Sequence, residues 1–270
     1  MNARGQIRIG VGGWVFEPWR GVFYPSDLAQ KNELQFASRK LTAIEINATY
    51  YGSQKPETFA KWARETPDGF VFTLKGSRFT TNRRVLAEAG ESIRRFMDQG
   101  LTELGDKLGP ILWQFAPTKR FEEADFGAFL ELLPATLDGR RLRHCVEVRH
   151  PSFQTPAFAA LLRQFQVPVV FADHADYPAL ADVTGDFVYA RLQTGDDAVE
   201  TAYEPAVLDA WAGRLLTWAE GGRPADLACA DPAYLAPVQP RDVFAFIIHE
   251  GKLRAPAGAM ALIERVRGEA

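Results

Sequence analysis

The stretches 43–51 and 145–153 place polar side chains at alternate positions among apolar residues, which is typical of a β-strand. In each stretch the polar groups come late, so we place them at the carboxyl end of a buried strand. A carboxylate beside an amide or a guanidinium group is suited to accept a proton or to orient a polar ligand. The residues concerned are Glu45, Asn47, Glu147 and Arg149.

Side chains that hydrogen-bond or ionise also follow most of the other apolar segments. Residues two apart face the same side of a strand, and this alternation predicts which of them point inward. Inward polar groups at the carboxyl ends of buried strands are what an α/β barrel offers to a ligand. The predicted inward set is Glu45, Asn47, Lys75, Gln114, Glu147, Arg149, Asp173, Arg191 and His249.

We divide the candidate site residues by the chemistry of their side chains. Glu147, Glu45 and Asp173 are the candidate catalytic residues, as general bases or as groups that orient a cation. The acids and bases are balanced in number, so the alternative is a buried ion-pair network with a structural role. The candidate ligand-binding residues are Asn47, Lys75, Arg78, Gln114, Arg149 and Arg191, with Trp14 and Tyr50 as aromatic contacts.

The loop after the third apolar segment, residues 75–84, is rich in cations and hydroxyl groups and has no acid before Glu88. Arginine and hydroxyl donors suit phosphate or carboxylate groups. The alternative is a solvated turn whose arginines pair with neighbouring helices. The cations of this loop are Lys75, Arg78, Arg83 and Arg84.

Aromatic residues are concentrated in residues 12–25, which include Trp14, and Tyr50 follows the second apolar segment. Flat rings near cations stack on sugars or bases. Rings in such loops also pack as a lid over the mouth of a barrel, which is the interpretation that we favour.

Other chemistries have weaker signals. No His-x-His or His-Glu-x-x-His pattern occurs, and no metal site is predicted; a mixed site of Glu45, Glu147, Asp173, His150 and His174 is the alternative. Glycoside hydrolysis needs one protonated carboxyl group, whereas the nearby cations favour ionised forms of both glutamates. No phosphate-binding loop of the Walker type and no paired Ser–His or Cys–His nucleophile is recognisable, and the sequence names no cofactor.

Eight strand-like segments occur along the chain, most of them separated by helical patterns. Helical spacing covers about 26–40, 56–65, 91–104, 122–133, 156–165, 204–220 and 256–267. Ser26-Asp27 and Thr155-Pro156 have the residue types of helix starts. The predicted strands are Ile7–Val11, Ala43–Ile46, Val71–Leu74, Ile111–Phe115, Cys145–Val148, Val169–Ala172, Phe187–Ala190 and Val243–Ile248.

This alternation predicts an α/β fold, a single TIM-like (β/α)8 barrel that spans residues 1–270 as one domain. The segment between Asp173 and Phe187 is too short for an ordinary helix, so we expect one short or irregular crossover there. An open, doubly wound sheet is the alternative, but residues 10–13 are not followed by the helix of a dinucleotide-binding fingerprint.

Composition restricts the class of protein further. The net charge of −3 and the pI near 5.9 argue against a general nucleic-acid coat, although a local basic patch is compatible with both. We expect no membrane span and no signal peptide, and therefore a cytoplasmic protein. The two cysteines, Cys145 and Cys229, have no metal-binding or redox spacing.

Several motifs together resemble the YecE-like family, also known as domain of unknown function 72. The resemblance implies a TIM-like barrel and leaves the activity open, since none is established for the family. The chain departs from the family pattern at Gln193-Thr-Gly195, where a His-Gly is usual, and at Ile248-His249-Glu250, where an Asn pair is usual. The motifs are Gly-Gly-Trp at 12–14, Trp19-Arg-Gly-Val-Phe-Tyr-Pro25, Glu45-Ile-Asn-Ala-Thr-Tyr-Tyr51, Phe70-Val-Phe-Thr-Leu-Lys75, Leu108-Gly-Pro-Ile-Leu-Trp-Gln114, Val146-Glu-Val-Arg-His-Pro-Ser152 and Thr184-Gly-Asp-Phe-Val-Tyr-Ala-Arg-Leu192.

Three hypotheses about function follow. The leading one is that the mouth binds a small anionic ligand bearing a phosphate or a sugar, with hydrolysis or isomerisation as the reaction class. The second is a metal-dependent phosphodiesterase that acts on nucleic acid, which the net charge does not favour. The third is a non-catalytic scaffold or partner-binding protein.

Overall fold

The computed structural model describes residues 4–268, except the side chain of His249, and eight parallel strands form its main sheet. Parallel pairing needs long crossovers, and helices or loops supply one between each pair of consecutive strands. The strands are β1 (Ile7–Gly12), β2 (Ala43–Ile46), β3 (Val71–Lys75), β4 (Leu108–Gln114), β5 (His144–Glu147), β6 (Val170–Asp173), β7 (Phe187–Thr194) and β8 (Asp242–Glu250).

The sheet closes on itself. The strands pair in the order β5-β4-β3-β2-β1-β8-β7-β6, so β5 and β6 are its two edges. A parallel bridge between Val146 and Val169 joins these edges, and the Val146 N–H donates to the Pro168 carbonyl at 3.0 Å. The predicted TIM-like barrel is therefore confirmed.

Helices occupy most of the crossovers, and none of those within residues 4–268 is long and apolar enough to cross a membrane. At the start of α7, Thr155 Oγ1 accepts from the Phe158 N–H at 3.3 Å, as Thr155-Pro156 predicts. The helices are α1 (Glu33–Ala37), α2 (Ala48–Tyr51), α3 (Pro56–Glu65), α4 (Arg78–Thr81), α5 (Gly90–Met97), α6 (Glu123–Glu131), α7 (Pro156–Phe165), α8 (Pro205–Ala219) and α9 (Ala255–Arg267).

The helix predicted over 26–40 is wrong in its extent. Ser26 and Asp27 lie in a turn, and α1 begins only at Glu33 after a short 3-10 helix at Gln30–Asn32. Phe23 packs edge-on against Phe36 of α1, with ring centroids 5.5 Å apart. This tertiary contact holds the preceding segment in turns, and local spacing does not report it.

The crossover between β6 and β7 contains no helix, as its length predicts. Specific hydrogen bonds hold it instead. Thr184 Oγ1 donates to the Val167 carbonyl and accepts from the Val169 N–H, both at 2.8 Å. The Asp182 carboxylate accepts from the N–H groups of Ala230 and Asp231 at 2.7 and 2.9 Å.

The barrel interior changes from apolar to polar along its length. Its apolar part is closed by large rings, and burial of each contributes about 1.5–3 kcal/mol to the free energy of unfolding. The next inward residues toward the carboxyl ends of β2, β5 and β7 are charged, so the interior ends in an ionic layer below the mouth. The apolar interior residues are Ala43, Leu112, Cys145, Val170, Phe187, Tyr189, Phe244, Phe246 and Ile248.

Candidate functional site

The inner face of β7 sets the order of the groups below the barrel mouth. Phe187, Tyr189, Arg191 and Gln193 alternate with outward residues and are all buried. Phe187 lies in the apolar part and Tyr189 just above it. The guanidinium of Arg191 comes next, and the amide of Gln193 lies nearest the mouth.

Arg191 holds the carboxylate of Glu45 in a two-pronged ion pair. Its Nη2 donates to Glu45 Oε1 at 3.0 Å, and its Nε donates to Oε2 at 3.1 Å. The Tyr189 hydroxyl also donates to Oε2 at 2.7 Å and lies 2.9 Å from Thr73 Oγ1. Glu45 is 0% exposed, so its charge is neutralised entirely by protein groups.

A second buried carboxylate, that of Glu147, lies between two guanidinium groups. Arg191 Nη1 donates to Glu147 Oε2, and Arg149 Nε donates to Oε1 at 2.7 Å. Arg149 in turn stacks over the ring of Tyr177, 4.4 Å from its centroid. Both oxygens of Glu147 are therefore occupied.

The charges of this network reinforce one another. Burial alone raises the pKa of Glu147, but Arg191 and Arg149 outweigh it and leave that pKa below its ordinary value. Burial alone lowers the pKa of Arg191, and the charges of Glu147 and Glu45 more than reverse this. Glu147 and Arg191 are consequently charged at neutral pH.

Lys75 differs from these residues because its ammonium group has no acidic partner. Within the described part of the chain its Nζ makes no hydrogen bond and lies 4.5 Å from the centroid of the Tyr50 ring. Burial lowers the pKa of Lys75 to about 8, and the positive charge of Arg191 adds to the lowering. The charges of Glu45 and Glu147 act in the opposite direction without contacting the amine, so Lys75 carries its proton at neutral pH without a hydrogen-bonded acidic partner among the described residues.

A cavity of about 770 Å³ lies above the network, at the carboxyl ends of the strands. The described charged side chains that line it are all cationic: Lys75, Arg149, Arg191 and Lys252. Glu45 and Glu147 lie behind the arginines and do not reach its surface. The cavity therefore presents a positive potential to whatever enters it.

Three carboxamide side chains, those of Asn47, Gln114 and Gln193, line the same cavity. Gln114 Oε1 accepts a long hydrogen bond of 3.4 Å from Arg191 Nη1. Gln193 is 1% exposed, and neither its Oε1 nor its Nε2 has a partner among the described residues. A buried amide with both groups unpaired is rare in folded proteins.

Aromatic rings form the apolar part of the cavity wall. Trp14 packs edge-on against Trp62 with centroids 5.2 Å apart, and Tyr50 packs against Tyr51 at 5.0 Å. Trp19 is 1% exposed, and its Nε1 donates to the Lys252 carbonyl at 2.8 Å. Residues 12–25 thus contribute Trp14 and Trp19 to the wall of the cavity, and their role as a lid stays a prediction.

Two predicted site residues lie away from the cavity. Asp173 shares the outer face of β6 with Phe171, which packs against Trp211 of α8, so its predicted inward direction is wrong. Its carboxylate accepts from Thr194 Oγ1 at 2.6 Å. Arg78 is exposed and lies over the rings of Tyr51 and Phe79.

The side chain of His249, the remaining member of the predicted inward set, lies outside what the structure describes. The structure brings together the other predicted site residues in the network or the cavity wall. These are Trp14, Glu45, Asn47, Tyr50, Lys75, Gln114, Glu147, Arg149 and Arg191.

The cations of the loop at 75–84 do not converge on one site. Lys75 faces the main cavity and Arg78 faces solvent, whereas Arg83 lines a separate cavity of about 380 Å³. The Arg84 carbonyl accepts from Lys119 Nζ at 2.8 Å. Of the four cations predicted in this loop, only Lys75 lines the main cavity.

Sequence reasoning missed several residues that contribute to the cavity or its network, among them Gln193, Lys252 and Tyr177. Gln193 follows Arg191 by two positions, and extension of the predicted strand beyond Ala190 finds it by alternation alone. Lys252 and Tyr177 lie in loops after β8 and β6. Neither loop residue had a local signal.

The sequence model of a family described as "Protein of unknown function DUF72" matches residues 8–270. The chain belongs to the DUF72 family. The predicted YecE-like membership is thereby confirmed.

The relatives of this DUF72 chain include the UPF0759 protein YecE of Escherichia coli K12, 27% identical over 54% of the chain and 50% of the relative. The UPF0759 protein YunF of Bacillus subtilis 168 is 28% identical over 41% of the chain and 40% of the relative. The matched part of the chain spans half or less of the length of these two curated relatives.

A solved structure supports the fold of this DUF72 chain. A DUF72 family protein from Thermotoga maritima MSB8 matches with a TM-score of 0.71 and 20% identity, over 98% of this chain and 100% of that one. This likeness concerns the barrel architecture.

The described residues contain no group of three or more histidine, cysteine, aspartate or glutamate side chains arranged to hold a metal ion. Glu45 and Glu147 have guanidinium partners, and Asp173 faces the other side of its strand. The mixed metal site considered for this sequence therefore does not assemble from these three acids.

Proposed function

We propose that the cavity binds a small molecule bearing a phosphate or carboxylate group. The observation that carries this proposal is the sign of the charge around the cavity. The four described charged side chains in its wall are cationic, and the two nearest carboxylates are buried behind them. An anion entering the cavity would supply the negative charge that the wall lacks.

Lys75 is the proposed primary contact for the anion. The guanidinium of Arg191 is already committed to Glu45 and Glu147, whereas the Lys75 ammonium has free donors at the cavity surface. A bound anion would raise the pKa of Lys75 from about 8 toward its ordinary value, because opposite charges favour the ionised amine. Arg149, which lines the same wall, would be the second cation in contact.

For the reaction, we propose hydrolysis or isomerisation of a phosphate- or sugar-bearing molecule, with the protonated Lys75 stabilising negative charge that develops on the bound anion. The sequence predicted Asp173, Glu45 or Glu147 as the general base; Asp173 faces away from the cavity, which leaves the two glutamates. Because their oxygens already accept hydrogen bonds from Arg191 and its neighbours, we propose that they position Arg191 instead.

The test is isothermal titration calorimetry of the wild type, which measures its affinity for inorganic phosphate and for phenyl phosphate. Lys75→Met removes the free ammonium and no structural hydrogen bond, so we expect at least about tenfold weaker binding in a folded protein. Lys61→Met is the matched control, because Lys61 is 58% exposed and pairs only with Glu65 on α3.

Undiminished binding by the Lys75→Met variant would refute the proposed contact. If the wild type binds neither probe, the proposal fails and the scaffold hypothesis takes its place.

No observation favours the metal-dependent phosphodiesterase. The cytoplasmic location stays a prediction.

A further inference from the structure

The three carboxamides in the cavity wall carry more hydrogen-bonding capacity than the protein uses. Among the described residues, the side chain of Asn47 makes no hydrogen bond, and the Gln114 Nε2 donates to nothing. Gln193 is the extreme case, since both of its amide atoms are shielded from solvent and unpaired. Buried polar groups without partners destabilise a fold, so such a cluster indicates partners that arrive from outside.

The chemistry of a carboxamide narrows the choice of partner. Each amide offers an acceptor oxygen and a donor nitrogen. A hydroxyl group both donates and accepts, so several hydroxyls on one molecule match a set of amides, whereas an apolar body leaves them unpaired. The rings of Trp14 and Tyr50 in the same wall add flat apolar faces of the kind that stack on sugars.

From this combination we infer that the ligand is a sugar phosphate, whose hydroxyl groups bind Gln193 and Asn47 while its phosphate binds Lys75. This inference rests on the proposed function, because it takes the anion contact at Lys75 as given. It adds the class of the neutral part of the molecule. A volume of about 770 Å³ is of the size that holds small-molecule ligands in proteins.

Gln193 is the residue on which the inference depends most. It lies two positions beyond Arg191 on the inner face of β7, in the wall of the cavity. Both amide atoms are covered by protein, so rotation about the side-chain torsions would bring them to a ligand. Binding of a polyol would therefore give partners to two amide groups that no described residue pairs.

The experiment compares phosphates that share the anion and differ in the rest of the molecule. Glucose 6-phosphate, ribose 5-phosphate and glycerol 3-phosphate carry hydroxyls, and phenyl phosphate carries none. We expect the wild type to bind at least one of the three about tenfold or more tightly than phenyl phosphate, because an apolar body leaves the amides unpaired. Similar affinities for all four probes would overturn the inference.

The variant Gln193→Met keeps the length of the side chain and removes both hydrogen-bonding groups. We expect its affinity for the preferred sugar phosphate to fall to about that for phenyl phosphate, and Asn47→Leu to reduce the same preference. A Gln193→Met variant that keeps the full preference would refute the role of Gln193. Lys75→Met should weaken binding of all the phosphates, which separates failure of the anion site from failure of the sugar inference.

Stability of the ligand-free variants gives a second, independent measurement. If the Gln193 amide is unpaired in the empty site, Gln193→Met removes a buried polar group and should leave the melting temperature unchanged or higher. A clear fall in melting temperature would mean that the amide already has a partner in the fold. That result would contradict the structural basis of the inference.

Discussion

Substitution of Arg191 by methionine tests the ionic network most directly. Arg191 is the guanidinium group shared by the two buried carboxylates, with two hydrogen bonds to Glu45 and one to Glu147. Methionine is of comparable length and cannot donate. Glu147 keeps Arg149 as a partner, whereas Glu45 keeps the hydroxyl of Tyr189.

The expected loss is about 3–5 kcal/mol in the free energy of unfolding, the range for a buried ion pair that loses one partner. Arg149→Met is the matched control. Arg149 is 16% exposed and pairs with one carboxylate, which keeps its bond to Arg191. We therefore expect a smaller loss of about 1–2 kcal/mol from the control, since one charged hydrogen bond near solvent is removed.

Urea unfolding at several pH values measures both variants. The folded-state pKa of Glu147 lies below its ordinary value of 4.5, so its ionic stabilisation is complete above pH 4.5. That stabilisation is lost as the pH falls through the folded-state pKa. The difference between the wild type and Arg191→Met should therefore be largest near pH 7 and narrow as the pH falls through the acidic range, because protonation relieves the buried carboxylate that the variant leaves without its guanidinium partner.

Two results would refute this reasoning. One is a decrease in the free energy of unfolding for Arg191→Met that is no larger than the decrease for Arg149→Met. That result would mean that the shared guanidinium contributes no more stability than a guanidinium with one carboxylate partner. The other is the absence of rescue by Glu45→Gln. In the Arg191→Met background that change removes an uncompensated buried charge, and it should recover part of the lost stability.

Three further predictions follow from the cavity and its strands. Affinity for a phosphate probe should fall about tenfold for each pH unit above about 8, where Lys75 loses its proton. In titrations across that range, the affinity of the Lys75→Arg variant should change little with pH. Without ligand, Lys75→Met should stabilise the protein by up to ~3 kcal/mol at pH 7, because the lowered pKa of Lys75 makes its protonated form unfavourable in the folded state. This stabilisation should disappear as the pH rises from 8 to 10.5. Urea unfolding that shows a less stable variant at pH 7 would contradict the prediction. Gly10→Ala should prevent folding, because its Cβ would lie 1.8 Å from the Ala43 carbonyl oxygen. Gly12→Ala should fold and weaken probe binding, because the nearest contact of its Cβ is Asn47 Nδ2 at 3.1 Å. Circular dichroism measures folding of both variants, and titration with the probe measures binding.

The barrel was predictable from the sequence because its strands are apolar on both faces and are separated by regular spacers. β2 was predicted to the residue at Ala43–Ile46, since its four residues are all buried and polar loops flank them. The start of α1 was not predictable in the same way. It depends on the packing of Phe23 against Phe36, which only the folded chain brings together.

The site was predictable on those strands where polar and apolar residues alternate, because the alternation shows which residues face inward. On β5 the polar residue Glu147 marks the inward face between apolar neighbours, and Arg149 follows two positions later. On β6 the segment Val169–Ala172 is apolar at every position, so it carries no information about which face is inward. The inner residue there is Val170, and Asp173 consequently falls on the outer face.

Placement of the carboxylates behind the cations argues for a binding role rather than a purely structural one. A self-sufficient ion-pair layer would need equal numbers of both charges, and Glu45, Glu147, Arg191 and Arg149 already supply that balance. Lys75 is surplus to the layer and, with its pKa lowered to about 8, weakens the fold at neutral pH. A buried cation beyond this charge balance, whose net effect is to cost stability, is expected where a protein binds a ligand, since functional sites are where local stability is given up.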